Sequence, residues 1–498
     1  MTVREGTVGT RRCAALAAAV VAVLLAVAAF GRVERDLIRL TPDDAYYYLE
    51  IARRLWLGQG STFDGVQPTN GYHPLWCAML VPLGPLFEAS RDLGARAAAA
   101  LSIAWMALAL ALTAALGRRT APQAPWVALL VATCTLAPAS IYGLETALAL
   151  ALLAAAFLAV DALPRATAAG GAAAGALLGA VVLARIDLGL HVAVIDAMWL
   201  VAAARGRAAA RPLALAVAAQ AALVGAYLTF DLLWFGEALP ISASIKVGRG
   251  GGPNLRWAKS LLALLGIGSG ALGVAVLALR LDRTPTLRAV ALATAGHAAL
   301  LATRGASETY NWTFAPTVLG GAVLLGAVVP WLGARVGRTT VRAAVVVGCL
   351  GLLAVAVRGK LRPTGFAEKL ERALWIRDHV PPGATFAEGD CGLLGYLSEH
   401  AFVNVDGLTG SVAFQQAIRD DTLLPWFEAS GVDAVVLPAE FAGATVPLRV
   451  RPGRSGHRRH VDAVLAPYEP PVADARYRLW RIVGFREADP AVVSSGAR

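Results

Sequence analysis

Apolar runs of about 20 residues recur along the first three-quarters of the chain, and a run of that length crosses the hydrocarbon core of a bilayer as a helix. Crossings are expected near 13–30, 97–116, 125–141, 144–161, 168–184, 186–204, 212–235, 258–279, 288–303, 313–333 and 340–357. Segment 75–90 is apolar but short and carries Pro82 and Pro85, so it reads as re-entrant or as a tilted span. Of the 498 residues, 57% are hydrophobic and only 16% charged, with a mean hydropathy of +0.59, which excludes an ordinary soluble protein. The expected fold class is an α-helical polytopic membrane protein of about 11–13 transmembrane helices. The first apolar run lacks a clear small-residue cleavage site before the charged 32–39 stretch and is read as an uncleaved anchor.

A net charge of +11 would suggest nucleic acid in a soluble chain. Here the arginines fall mainly in short inter-helix loops, the signature of membrane topology, so no nucleic-acid partner is expected. Arg4, Arg11 and Arg12 place the N-terminus inside. Arg118/Arg119, Arg165, Arg205/Arg207/Arg211, Arg280/Arg283/Arg288 and Arg335/Arg338/Arg342 then alternate as cytoplasmic loops. On that parity the loop at 31–74 faces outward from the plasma (inner) membrane, and so does everything after about residue 358. The five cysteines show no metal or redox spacing and no disulfide framework.

The membrane domain is assigned to 1–357. From Gly359 charge rises and helical and strand patterns alternate, so 358–488 is read as a small extracytoplasmic α/β domain and 489–498 as a disordered tail. Phe366–His379 reads as an amphipathic helix. Strands are expected at 384–387, 401–405, 434–437 and 476–483. The basic stretch 441–468 reads as a solvated or headgroup-facing loop.

Within so apolar a chain, one outer loop concentrates chemistry: Thr41-Pro42-Asp43-Asp44-Ala45-Tyr46-Tyr47-Tyr48, closing with Pro68-Thr69-Asn70-Gly71-Tyr72-His73-Pro74. Thr41-Pro42-Asp43-Asp44 has the order of a helix start, with Thr as N-cap and acids in the first turn. The stripe Asp44, Tyr48, Ile51 and Leu55 suits a short amphipathic helix at the membrane interface, with Tyr46–Tyr48 in the aromatic belt. Acids at a helix N-terminus are also stabilised by the dipole without any catalytic role. Two jobs for the pair are distinguishable: Asp44 reaching back to the Thr41 amide as in a capping box, and Asp43 projecting away as an ionised general base. The pair is alternatively a divalent-cation site (Mg or Mn). Tyr47, Asp64, Asn70 and His73 supply the aromatic and hydrogen-bonding groups expected of a sugar-recognising surface.

Asp43-Asp44-Ala45-Tyr46-Tyr47-Tyr48-Leu49-Glu50-Ile51-Ala52-Arg53 resembles the opening of the first outer loop in GT-C glycosyltransferases, among them the bacterial aminoarabinose transferases of lipid A and the protein O-mannosyltransferases. His73-Pro74-Leu75-Trp76 is similar to the element that ends the same loop. A looser likeness extends to Gly143-Leu144-Glu145-Thr146, Arg185-Ile186-Asp187, 240–246 and 392–398. The resemblance implies a GT-C-like fold, a polyprenyl-phosphate-linked sugar as donor, and an extracytoplasmic glycan, lipid or protein acceptor. It further implies that an outer-loop Asp deprotonates the acceptor, which displaces the lipid phosphate with inversion. By position Asp43 falls on the base and Asp44 on its neighbour.

A lipid-phosphate leaving group needs cations near the outer helix ends. The expected topology puts Arg185, Lys246 and Arg304 there, with Glu145, Asp187, Tyr310 and Trp312. Arg185 and Lys246 are the expected phosphate contacts, and Glu145, Asp187 and Tyr310 join the substrate-binding set; snorkelling at a helix end explains Lys246 equally well. Two residues apart, Arg185 and Asp187 would not face each other on a regular helix, so a helix end is expected there. His191 and His297 read as core, and Asp390 and Asp406 as helix caps. The rivals are a transporter or lipid flippase and a catalytically silent envelope-assembly scaffold. Against transport, there is no inverted repeat and no matched pair of broken helices, and the ionisable residues gather at the outer edge.

Overall fold

The computed structural model describes residues 3–31, 36–139, 142–248, 284–303, 311–361, 366–450 and 459–487. In chain order the described helices before the C-terminal domain are α1 (Val3–Phe30), α2 (Asp43–Trp56), α3 (Pro74–Leu80), α4 (Gly84–Ala89), α5 (Arg91–Thr120), α6 (Pro125–Ala139), α7 (Thr146–Ala159), α8 (Ala168–Ala184), α9 (Gly189–Ala204), α10 (Ala210–Phe235), α11 (Ile241–Gly248), α12 (Pro285–Thr303), α13 (Asn311–Val336) and α14 (Arg338–Leu361). Among the described residues six segments are long and apolar enough to cross a bilayer: Gly9–Phe30, Arg91–Thr120, Ile186–Ala204, Ala210–Phe235, Trp312–Val336 and Arg338–Lys360. The stretches expected at 125–141, 144–161 and 168–184 are helices of 15, 14 and 17 residues. The first two are buried on nearly every side, as apolar helices of that length are when they sit inside a bundle. The stretch expected at 288–303 lies within α12. The crossing expected at 258–279, Arg304, Tyr310, and the 489–498 tail lie outside the described residues. Segment 75–90 is broken at its prolines into α3, a 3-10 turn (Val81–Leu83) and α4.

Helices α8 and α10 approach backbone to backbone, because Gly171, Gly175 and Gly179 recur every fourth residue on one face of α8. A Cβ at Gly171 would stand 2.2 Å from the Pro212 carbonyl oxygen, and one at Gly175 2.0 Å from that of Ala216. Small residues at such a seam let membrane helices gain van der Waals contact that bulkier ones would block. Gly175→Val is therefore expected to lower the melting temperature of the purified protein by several degrees. Gly225→Ala, with open space around it, is the control and leaves it unchanged or raises it. Equal melting of the two variants would refute the close seam.

The C-terminal domain comprises α15 (Phe366–His379), β1 (Thr385–Glu388), α16 (Gly392–Leu397), β2 (Ala401–Asn404), α17 (Val412–Asp420), α18 (Leu423–Ala429), β3 (Ala434–Pro438), β4 (Thr445–Val450), β5 (Arg459–Pro467) and β6 (Tyr477–Glu487). Its six-stranded sheet has the order β2-β1-β3-β6-β5-β4, with β1 parallel to β2 and β3 and the other pairs antiparallel. Alternation splits β1, β2, β3 and β6 between two cores, whereas β4 and β5 line only the second. Phe386 and Phe402 join an apolar cluster continuous with the membrane helices, whereas Ala387 and Val403 face a second cluster with Phe414 and Phe427. The expectation of a loop over 441–468 is corrected at 445–450 and 459–467, where β4 and β5 pair antiparallel, while 451–458 lie outside the described residues. The signal was the alternation of Val446, Leu448 and Val450 with Val461, Ala463 and Leu465, of which all but Val446 are buried. Net basic charge obscured a two-residue period.

Candidate active site

Helix α2 begins one residue later than its sequence suggests. Pro42 is the N-cap, without a side-chain cap, and Asp43 and Asp44 open the first turn. Thr41 instead donates its hydroxyl to the Leu37 carbonyl at 2.9 Å and meets the Tyr46 hydroxyl at 3.0 Å. The capping box between Thr41 and Asp44 therefore does not form. Nor does α2 lie in the interface: Tyr46, Tyr47, Tyr48 and Glu50 are all buried, between membrane helices and the C-terminal domain. The belt reading of the three tyrosines is corrected, because each hydroxyl has a buried partner inside the protein.

The two acids part company. Asp43, expected to project away from the helix, is 4% exposed. Its Oδ2 accepts from the Gly392 amide at 2.9 Å and its Oδ1 from the Leu393 amide at 3.1 Å, and Lys369 Nζ stands 3.6 Å from Oδ1. One turn on, the Tyr47 hydroxyl accepts from the Cys391 amide at 2.8 Å and from Asn404 Nδ2 at 2.6 Å. The Asp43–Tyr47 face thus clamps α16, so closely that a Cβ on Gly392 would come 2.3 Å from the Asp43 carbonyl oxygen. Asp44 is half-buried and lies on the other stripe, one helical turn from Tyr48.

Burial pushes the Asp43 carboxyl up to about 7, against the pull of Lys369 and the two amides. An unfolded aspartate titrates near about 3.9. The folded state therefore holds the proton more tightly, and stability falls as pH rises from about 4 to about 7. Asp43→Asn removes this slope. Wild-type melting temperature is expected to decline across that window relative to the variant, measured by thermal unfolding; parallel profiles would refute the assignment.

Below Tyr48 a buried polar chain runs into the membrane domain. The Tyr48 hydroxyl accepts from the His73 amide at 3.1 Å and donates to Glu145 Oε2 at 3.3 Å. Glu145 Oε1 lies 3.9 Å from His73 Nε2 and 3.7 Å from Arg185 Nη1. Arg185 grips Asp187 with two hydrogen bonds, Nε to Oδ1 at 3.1 Å and Nη2 to Oδ2 at 2.8 Å, and donates Nη1 to the Trp312 carbonyl at 2.9 Å. This fork is possible because Arg185 is extended where α8 ends and a 3-10 turn (Ile186–Leu188) begins, as the expected helix end requires. His297, read as core, adds to the chain: its Nε2 is 3.7 Å from Asp187 Oδ2, and its Nδ1 lies 2.8 Å from the Thr317 hydroxyl. Glu145 is delivered by a turn at Gly143, where φ is +88° and a Cβ would stand 2.9 Å from that of Ala45 on α2. Only glycine meets both demands.

The fold gathers His73, Glu145, Arg185 and Asp187, with Asp44 one helical turn from Tyr48, and holds Asp64 and Asn70 in other contacts. Asp64 Oδ1 accepts from Thr62 Oγ1 and from the Val66 and Gln67 amides at 2.7–3.0 Å, closing a turn within the loop. Asn70 donates to Asp231 Oδ2 at 3.1 Å and accepts from the Ile241 amide at 3.1 Å, tying the loop to α10 and to the start of α11. Lys246 lies on α11, but its side chain, like all of Tyr310, falls outside the described residues. Arg185 is paired, and with Asp187 and Glu145 it forms a cluster holding more carboxylates than guanidiniums. Asp406 accepts from the Asp390 and Leu408 amides at 3.0 Å, as a loop cap does.

Sequence reasoning missed Glu50. It is 2% exposed, contacts Arg53 at 2.9 Å, Arg54 at 2.8 Å and Arg91 at 2.6 Å, and anchors α2 on α5. Burial alone would raise its carboxyl, but Arg91, Arg53 and Arg54 together hold it below the usual range. Arginines three and four residues beyond it were the available signal. Among the described residues no group of three or more His, Cys, Asp or Glu could hold a metal ion.

A family model described as a domain of unknown function (DUF8728) matches residues 359–492. No curated protein matches the chain. Among solved structures, ArnT from Cupriavidus metallidurans bound to undecaprenyl phosphate superposes with a TM-score of 0.59 at 14% identity, over 94% of this chain and 97% of that one. Its apo state gives 0.54 at 15% identity, over 93% and 97%. The Archaeoglobus fulgidus oligosaccharyltransferase tethered to an acceptor peptide gives 0.51 at 13% identity, over 85% and 69%. ArnT is an aminoarabinose transferase, and both enzymes are of the GT-C type. With its membrane-crossing helices and small C-terminal sheet domain, the chain is a multi-pass membrane protein that carries the GT-C fold.

Proposed function

We propose that the protein is an inverting glycosyltransferase that moves a hexosyl or pentosyl group from a polyprenyl phosphate to an extracytoplasmic glycan, lipid or protein acceptor. The observation that carries this reading is a half-buried carboxylate, Asp44, one helical turn above the Tyr48–Glu145–Arg185–Asp187 chain. It stands on a fold whose neighbour ArnT binds undecaprenyl phosphate. Asp44 takes the proton of the acceptor hydroxyl as that oxygen bonds to the sugar's anomeric carbon. The bond from that carbon to the phosphate oxygen breaks, and the polyprenyl phosphate leaves with the electron pair. Attack from the face opposite the phosphate inverts the anomeric centre. Asp43 and Tyr47 serve as positioning residues by locking α2 to α16. Arg185 orients Glu145 and Asp187, and Lys246, on the helix whose first amide Asn70 holds, contacts the departing phosphate. Both Asp43 oxygens are taken by amides of α16, so a divalent cation at this pair would be held from the Asp44 side alone and would supply charge to the departing phosphate.

The test is purified protein in liposomes with radiolabelled polyprenyl-phosphate sugar and a pool of envelope glycans, lipids and proteins. Label passing to an acceptor supports the reading. Label carried across the bilayer without transfer supports a flippase, and neither outcome supports a scaffold. Repeating the assay with EDTA, then with added Mg or Mn, tests the cation.

A further inference from the structure

At the membrane face opposite Asp44 the helix ends form a cationic cavity. Helix α5 starts at Arg91, which touches Glu50 on α2, and runs 30 residues to Thr120, about 45 Å at 1.5 Å per residue. Just beyond that end, Gln123 and Trp126 face the elbow between α13 and α14, where Gly337 at φ +103° turns the chain. Together with Pro330, Arg338 and Arg342 they line a cavity of about 140 Å³, whereas one water needs about 10–15 Å³. No acidic residue lines it among the described residues. Helix α1 closes the far side of the indole: a Cβ on Gly9 would stand 3.2 Å from Trp126 Cδ1. That places the exposed Arg11 and Arg12 close by.

Topology alone accounts for arginines at this face. It does not account for two of them sharing a cavity with a carboxamide and an indole. From Arg342 an exposed apolar stripe continues along α14. Spaced four apart from Arg342 along α14, Val346 and Leu350 are 40% and 51% exposed. Cationic head space, amphipathic wall and apolar track match a phospholipid in sequence from headgroup to acyl chain.

We propose that this cavity binds the phosphate headgroup of an anionic membrane lipid, held by Arg338 and Arg342 with its acyl chain along α14. The site is separate from the proposed transfer centre and stands whether or not transfer occurs. The test is photo-crosslinking of full-length protein in phosphatidylcholine nanodiscs doped with photoactivatable phosphatidylglycerol, followed by peptide mapping. Label should fall on 330–350, and unlabelled phosphatidylglycerol should displace it while phosphatidylcholine does not. Arg338→Gln/Arg342→Gln should reduce labelling about tenfold or more. Ala334→Phe, which fills the cavity and keeps both charges, should do the same, whereas Arg205→Gln/Arg207→Gln should not. Displacement by phosphatidylcholine, or full labelling of both cavity variants, overturns the site. Displacement by millimolar inorganic phosphate overturns the lipid assignment in favour of a soluble anion.

Discussion

Asp44→Asn is expected to lower turnover by about 10²–10⁴-fold, the usual contribution of a positioned general base, while the variant inserts, folds and binds donor lipid as wild type does. The amide is nearly isosteric with the carboxylate but cannot take up the acceptor's proton. Asp43→Asn is expected to act differently. Its single amide oxygen can accept from only one of the Gly392 and Leu393 amides, so the clamp on α16 loosens. That variant should melt earlier, release the C-terminal domain to protease sooner, and lose less activity than Asp44→Asn at a temperature where both are folded. Single-turnover rates and donor binding measured on both variants separate the roles. If Asp43→Asn abolishes the chemical step with unchanged melting and Asp44→Asn retains it, the base is Asp43, and its amide partners must part during turnover.

How far the sequence could be read follows from which forces act locally. Apolar runs specify helices by length and composition, so the membrane domain was legible, and the clustering of Asp43, Asp44, Tyr47, Asn70 and His73 in one loop marked where polar chemistry is concentrated. What each side chain does there depends on partners hundreds of residues away. Asp43 meets the amides of 392 and 393, Tyr47 meets Asn404, and Asn70 meets Asp231. No periodicity within α2 reports such contacts, so an interfacial helix and a buried one looked alike. Glu50 shows the same limit: its helix neighbours Arg53 and Arg54 are visible in sequence, but Arg91, which completes its burial, sits on another helix. The strands at 445–450 and 459–467 were hidden for another reason, because their inward residues alternate with prolines and charges. The Arg185–Asp187 fork was inferable in part. A helix end was expected there, but the extended backbone that lets residues two apart pair is a property of the break itself.

Arg185→Met should be the most damaging single change in the membrane domain. Both partners of the fork are largely buried, with side-chain exposures of 5% and 10%, and removing one leaves the Asp187 carboxylate uncompensated beside Glu145. Breaking a buried pair in this way costs about 3–5 kcal/mol, enough to deplete the folded protein. Arg185→Lys should fall between, since an ammonium restores charge but not the two-pronged geometry. The double variant Arg185→Met/Asp187→Leu removes the stranded charge together with its partner, and should regain most of the melting temperature lost by Arg185→Met. It should remain inactive, because nothing then holds Glu145 against Tyr48 and His73 beneath Asp44. Thermal unfolding in detergent and the transfer assay read these two effects separately. If the double variant recovers neither, the fork is indispensable to the fold; if it recovers both, Arg185 has no part in orienting the site. Recovery of stability without activity is the result expected of an ion pair whose function is to place a carboxylate, and for which an apolar pair is an adequate structural substitute.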